Sequence, residues 1–191
     1  YAELEALFAL DMPEKTAVCI LADKEEIGSV GISGMQSHYF EHFMEGLCDA
    51  QGVKLSDCFA NSFCLSADVS NAFDPNWPET CDKRNNSQLN YGVAICKYTG
   101  SRGKGGASDA SAEAMGHVRS TLDKAGVIWQ IATLGKVDQG GGGTVAAYMA
   151  NRNIVTVDAG VPVLSMHAPL ELVSKLDCYE TMLACKAIYL A

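Results

Sequence analysis

No apolar run in the 191 residues reaches the roughly 18 to 20 that a membrane-spanning helix requires, and no charged-then-apolar leader opens the chain. No Lys/Arg cluster is present either. With 14 basic against 23 acidic residues and a formal net charge of −9, nothing is offered that would track a phosphate backbone. Neither a membrane nor a nucleic acid is therefore expected as a partner. Eight cysteines occur without a single C-x-x-C pair, and several stand inside apolar runs such as AVCIL and SFCLS. They read as small buried hydrophobes in a reducing compartment, so a cytoplasmic protein is expected. The spacing G-x-x-x-x-G-K-[ST] is also missing, which removes a nucleotide P-loop.

What is present is the composition of a globular domain, 48% hydrophobic and 19% charged. The opening YAELEALFAL follows helical spacing from its first residues and lacks an initiator Met. A piece of a longer protein is expected. TAVCILA, a short apolar run without alternation, predicts a fully buried strand. SHYFEHFMEGLCDAQG predicts a helix stopped at Gly52. SFCLSAD predicts a strand, Val69 to Asn90 a long structured loop, YGVAICKYTG a strand, and SRGKGGASDASAE a flexible loop. Further along, a capped helix through AEAMGHVRSTLDKAG, a strand in VIWQIATL and a short helix in VAAYMANR are expected. Strand-like NIVTVDAG and VPVLSMH and a helix from about Leu170 to Leu190 complete the pattern. Strands alternate with helices throughout, without an internal repeat. One α/β domain follows, with a mixed, largely parallel sheet flanked by helices.

In such sheets, ligands collect beyond the carboxyl ends of the strands. That rule selects Glu25 and Glu26 after TAVCILA, Asp68 after SFCLSA, and His167 after VPVLSM. Oxygen and imidazole donors of this kind suit zinc, manganese or cobalt. A cation would also offset the repulsion within the acidic cluster Asp23, Glu25 and Glu26. Each residue also has an ordinary reading: an acidic helix N-terminus for the cluster, an Asx-turn for Asp68, and a core or surface histidine for His167. His38 and His42, one helical turn apart, could chelate a metal or simply lie on a helix surface. In QGGGGT, Gly141 and Gly142 sit where backbone N–H groups could approach a substrate carbonyl, or where a tight strand-to-helix turn is needed.

Taken in order, DKEEIGS, SADVSNAFDPN, YGVAICKYT, QGGGGT and VDAGVPVLSMHAPLE resemble the aspartyl aminopeptidase and vacuolar aminopeptidase I family of dizinc exopeptidases. The resemblance runs over almost the whole chain and implies a zinc-exopeptidase-like fold. It further implies that Glu25 is the general base, that Glu26, Asp68 and His167 are zinc ligands, and that Lys97, Gly141 and Gly142 help bind a peptide substrate. Two zinc ions per complete site are implied, with cobalt or manganese as replacements, together with a homo-oligomer of the tetrahedral dodecamer type. The family draws two further ligands from an H-x-D segment and a bridging Asp upstream. Asp11, His38 and His42 are not in positions to replace them. Residues 1–191 are accordingly expected to be the carboxyl-terminal part of a catalytic domain, with an upstream part and an inserted dimerisation domain elsewhere, and to be inactive alone. Family members that prefer acidic substrates carry histidines where this chain has Asn71 and Asp74, and M-H-S-x-R-E where it reads MHAPLE, so an Asp/Glu preference is not carried over. Two alternatives stand beside this reading: a glutamyl-aminopeptidase-type dizinc exopeptidase, and a catalytically silent assembly or cargo subunit.

Overall fold

A computed structural model describes every residue except Gly103 and Val137. Its centre is a four-stranded sheet in the order β1-β7-β3-β6, built from β1 (Phe63–Ser66), β3 (Val93–Cys96), β6 (Trp129–Ile131) and β7 (Val155–Gly160). β1 pairs with β7 and β3 with β6 in parallel, whereas β3 and β7 are antiparallel. The sheet is therefore mixed with parallel pairings in the majority, as the alternation of elements predicts. A smaller sheet joins β2 (Ser70–Asn71), β8 (Pro162–Leu164) and β9 (Leu172–Val173).

Helices cover both faces of the main sheet. On one, α4 (Ala112–Ala125) and α6 (Lys175–Tyr189) pack Val118, Leu122 and Ala184 against Val93, Ile95 and Val157. On the other, α2 (Tyr39–Gln51), α3 (Leu55–Ala60) and α5 (Ala146–Ala150) bring Met44, Phe59 and Met149 together with Ile154 and Met35. α1 (Ala2–Phe8) lies on α6 and buries Ala2 and Ala6, one helical turn apart. Local chemistry sets the helix ends. Ser111 Oγ accepts from Ala114 N at 3.1 Å at the start of α4, and left-handed Gly126 (φ 69°) ends it. Gly52 (φ 68°) stops α2 in the same way.

α6 also fastens the sheet. Asp177, fully buried, accepts from Asn90 N and Gly92 N at 2.8 Å each, and Glu180 accepts from Ile128 N at 2.8 Å. Two interior carboxylates thus satisfy the backbone donors just ahead of β3 and β6.

Three sequence expectations are corrected. Residues 16–22, expected as a fully buried strand, join no ladder, and Leu21 is 70% exposed. An apolar run fills a strand position only where a neighbour offers its N–H and C=O groups. Here a cavity of about 410 Å³, lined among others by Val18, Ile20, Phe63 and Leu65, separates the run from the open edge of β1. The flexible loop expected after YGVAICKYTG instead forms β5 (Gly105–Asp109), an antiparallel partner of β4 (Tyr98–Ser101). Its Gly- and Ser-rich text reads as loop because the hairpin is held by backbone pairing. The final helix begins at Lys175, since Leu172 and Val173 pair with Leu164 and Val163 before the Ser174 cap.

Candidate metal centre

Glu25 and Glu26 open a single 3-10 turn, Glu25–Ile27, between two left-handed residues, Lys24 (φ 60°) and Gly28 (φ 92°). The turn is held from behind by the following glycine and serine loop. Ser29 N donates to Lys24 O at 2.7 Å, Gln36 Nε2 donates to Gly28 O at 2.6 Å, and Gln36 N donates to Ser29 O at 3.1 Å. Gly34 has no room for a Cβ, which would overlap the Ser29 carbonyl. Arg152, next to α5, ties down the far end of the loop by donating to Met35 O at 3.1 Å and Ser37 O at 3.3 Å.

Asp68 stands two residues beyond β1. Its Oδ1 accepts from Val69 N at 2.8 Å, so one oxygen is turned toward its own backbone. Gly160, the last residue of β7, lies against it so closely that a Cβ would overlap the Asp68 carbonyl oxygen. His167 follows β8 in a left-handed conformation (φ 67°), with Ser165 (φ 59°) two residues earlier. His167 N donates to Glu171 Oε1 at 2.6 Å, which fixes this turn.

The folded chain brings these residues together. His167 Nε2 lies 3.0 Å from Glu26 Oε1, and both side chains are open to solvent. Glu25 has its pKa raised by burial first, then by the charges of Asp68 and Glu26, with His167 opposing. Burial also raises the pKa of Asp68, the Val69 N–H lowers it, and the Glu26 charge raises it further. Three carboxylates and one imidazole therefore share a single electrostatic neighbourhood beyond the carboxyl ends of β1 and β8. Their donor chemistry, hard oxygen with borderline nitrogen, suits zinc. Among the described residues, no three His, Cys, Asp or Glu side chains close on a point that would hold an ion. Glu26 and His167 form the assembled pair.

The other candidates have partners of their own. Lys97 ion-pairs with Asp109 across the β4–β5 hairpin. Gly141, exposed and left-handed (φ 85°), packs onto the same hairpin, where an added Cβ would stand 2.6 Å from Gly100 O. A Cβ added at Gly142 would meet the Leu134 side chain at 3.9 Å. His38 and His42 lie at the start of α2, their rings 6.4 Å apart, with His38 held by Glu41. The eight cysteines are free thiols.

Sequence reasoning missed Asp158, Thr144 and Gly160. Asp158 is 7% exposed, and burial lifts its pKa to about 6, against the pull of the Ser66, Thr144 and Thr99 hydroxyls. The available signal was a carboxylate inside the apolar strand VTVDAG. A folded pKa above the unfolded one means that the native state binds the extra proton. This contribution to stability is complete below about pH 4 and is lost as pH rises through about 6. Thermal melts of wild type and Asp158→Asn should therefore shift in favour of the variant between pH 4 and pH 7.

A model of the family described as aminopeptidase I zinc metalloprotease (M18) matches residues 1–189. A probable M18 family aminopeptidase 1 of Borrelia garinii is 46% identical over 196 residues, covering 99% of this chain and 43% of the relative. The crystal structure of aminopeptidase I from Clostridium acetobutylicum superposes with a TM-score of 0.92 at 46% identity, covering 100% of this chain and 41% of that one. An M18 aminopeptidase structure from Thermotoga maritima gives a TM-score of 0.95 at 42% identity, covering 99% and 43% respectively. The chain spans about 43% of the length of the Borrelia relative. With the fold matched over its whole length and sequence identity above 40%, the chain belongs to the M18 family of aminopeptidase I zinc metalloproteases.

Proposed function

We propose that residues 1–191 form the carboxyl-terminal part of the catalytic domain of a zinc aminopeptidase that removes N-terminal residues from peptides. The observation that carries this reading is the 3.0 Å approach of His167 to Glu26, which joins the two ends of the chain beside Glu25 and Asp68. Glu26, Asp68 and His167 would hold zinc, two ions in a complete site, with cobalt or manganese as substitutes. Zinc, when bound, supplies a Lewis acid that polarises a carbonyl and makes a water more acidic. Glu25 takes the proton of the attacking water and passes it to the departing amine, because it is the carboxylate of the group left free of ligation. Exposed Gly141 and half-buried Gly142 offer backbone N–H groups to the peptide. Lys97, paired with Asp109, borders the same hairpin.

The cavity beside β1 supports the assignment to part of a larger domain. Residues 16–22 and β1 both lead toward acidic residues of the site, and a cavity of about 410 Å³ is lined by both. A strand from the portion of the enzyme that the relatives carry beyond this match would pair with the open edge of β1. The inserted dimerisation domain and a homo-oligomer, in the form of a tetrahedral dodecamer, are proposed on the family resemblance. Exposed Phe8, Met12, Leu21 and Ile32 provide apolar surface for such contacts. No helix among the described residues is long and apolar enough to cross a membrane, and a cytoplasmic site of action fits the free thiols.

Metal analysis of the full-length protein, combined with a panel of aminoacyl chromogenic substrates, tests the reading. Bound zinc and turnover that a chelator abolishes and zinc restores are expected. Metal-replete protein without turnover on any substrate would leave the assembly-subunit alternative.

A further inference from the structure

Four consecutive glycines, Gly140 to Gly143, have the greatest backbone freedom to lose and no side chains with which to pack. Their placement must come from the two ends of the loop. At the upstream end Arg102 N donates to Gly140 O at 2.9 Å, and Gly141 rests on the backbone of Gly100. At the downstream end the anchor is Thr144. It is buried, its Oγ1 donates to Asp158 Oδ1 at 2.8 Å, and the same oxygen accepts from Ala146 N at 3.3 Å at the start of α5.

Asp158 is the one carboxylate on β7, and the chemistry proposed above makes no use of it. It sits across the ladders from Ser66 on β1 and Cys96 on β3. The buried Ser66 and Thr99 hydroxyls have no hydrogen-bond partner among the described residues, and Ser66 stands directly opposite Asp158. Asp158, Thr144, Thr99 and Asp68 wall one small void of about 10 Å³. An interior carboxylate surrounded by hydroxyls is costly to bury. As an acceptor-only group, however, it can take several O–H donors from different elements at once.

We propose that Asp158 is a positioning residue, whose hydrogen bond from Thr144 pins the downstream end of the glycine loop beside Asp68 and so presets the loop for peptide binding. The peptide is the only element that rests on the function proposed above. The pin makes no contact with the reacting atoms. Its loss loosens the loop, which weakens substrate binding more than it slows the chemical step.

The test uses the full-length protein carrying Asp158→Asn, Thr144→Val, both together, and Thr144→Ser. Amide hydrogen exchange at Gly141 to Thr144 is read alongside KM and kcat on an aminoacyl chromogenic substrate. Thr144→Val keeps the side-chain shape and reports on the pin even where Asp158→Asn does not fold. Loop exchange should rise about tenfold in Thr144→Val. KM should rise about fivefold with kcat within about twofold. The double variant should be no worse than the worse single, and Thr144→Ser should behave as wild type. Unchanged loop exchange, additive effects in the double variant, or a fall in kcat at constant KM would each overturn the proposal. Should the wild type turn over no peptide while loop exchange responds as expected, the aminopeptidase reading fails and the pin stands.

Discussion

Glu25→Gln in the full-length protein should lower kcat by about 10²- to 10⁴-fold while bound zinc and KM remain near their wild-type values. Gln keeps the shape of the side chain and cannot accept a proton from water. Because Glu25 is half-buried and lies among the charges of Asp68 and Glu26, the variant also removes a repulsion. Its thermal stability should therefore equal or slightly exceed that of wild type. This combination separates the proposed role from a structural one, in which stability and activity fall together. Full turnover in Glu25→Gln with metal still bound would end the general-base assignment.

Gly160→Ala is expected to have the largest effect on the fold around the site. The added methyl group would overlap the Asp68 carbonyl oxygen, a backbone atom that no rotamer change can move aside. Either β7 or the turn at Asp68 must shift. A loss of roughly 4 kcal/mol is expected in urea unfolding, together with zinc affinity weakened about tenfold or more as Asp68 is displaced. Gly116→Ala is the control. That glycine lies inside α4 with nothing within 4 Å of an added Cβ, and the change should stabilise by about 0.5 to 1 kcal/mol. Similar losses at both positions would mean that close backbone approach is not the cause at Gly160.

The residues that the strand-end rule selects could be read from the sequence because each follows an apolar run closely, although the runs do not share one sheet: β1 lies in the main sheet, β8 in the smaller one and residues 16–22 in neither. The family resemblance sharpened their roles. Less legible was whatever depends on a partner far along the chain. TAVCIL has the composition of a buried strand, but the place beside β1 remains open, so its apolar residues give no sign that the ladder is missing. The β4–β5 hairpin was hidden because Gly105, Gly106, Ala107 and Ser108 carry no alternating pattern. Asp158 is hard to read because one carboxylate in VTVDAG does not reveal that the Thr144 hydroxyl, fourteen residues earlier, donates to it in the interior. The need for Gly160 depends on Asp68, which only the parallel pairing of β1 with β7 brings near.

The left-handed turns at Lys24, Ser165 and His167 have a practical bearing on any saturation screen of this region. At such φ values a β-branched replacement is penalised by its own backbone before it meets a ligand, whereas Asn and Gly are accommodated. Loss of function at position 167 would thus mix two causes in a Val or Ile variant. An Asn substitution keeps the turn while discarding the imidazole, so it is the informative member of that library.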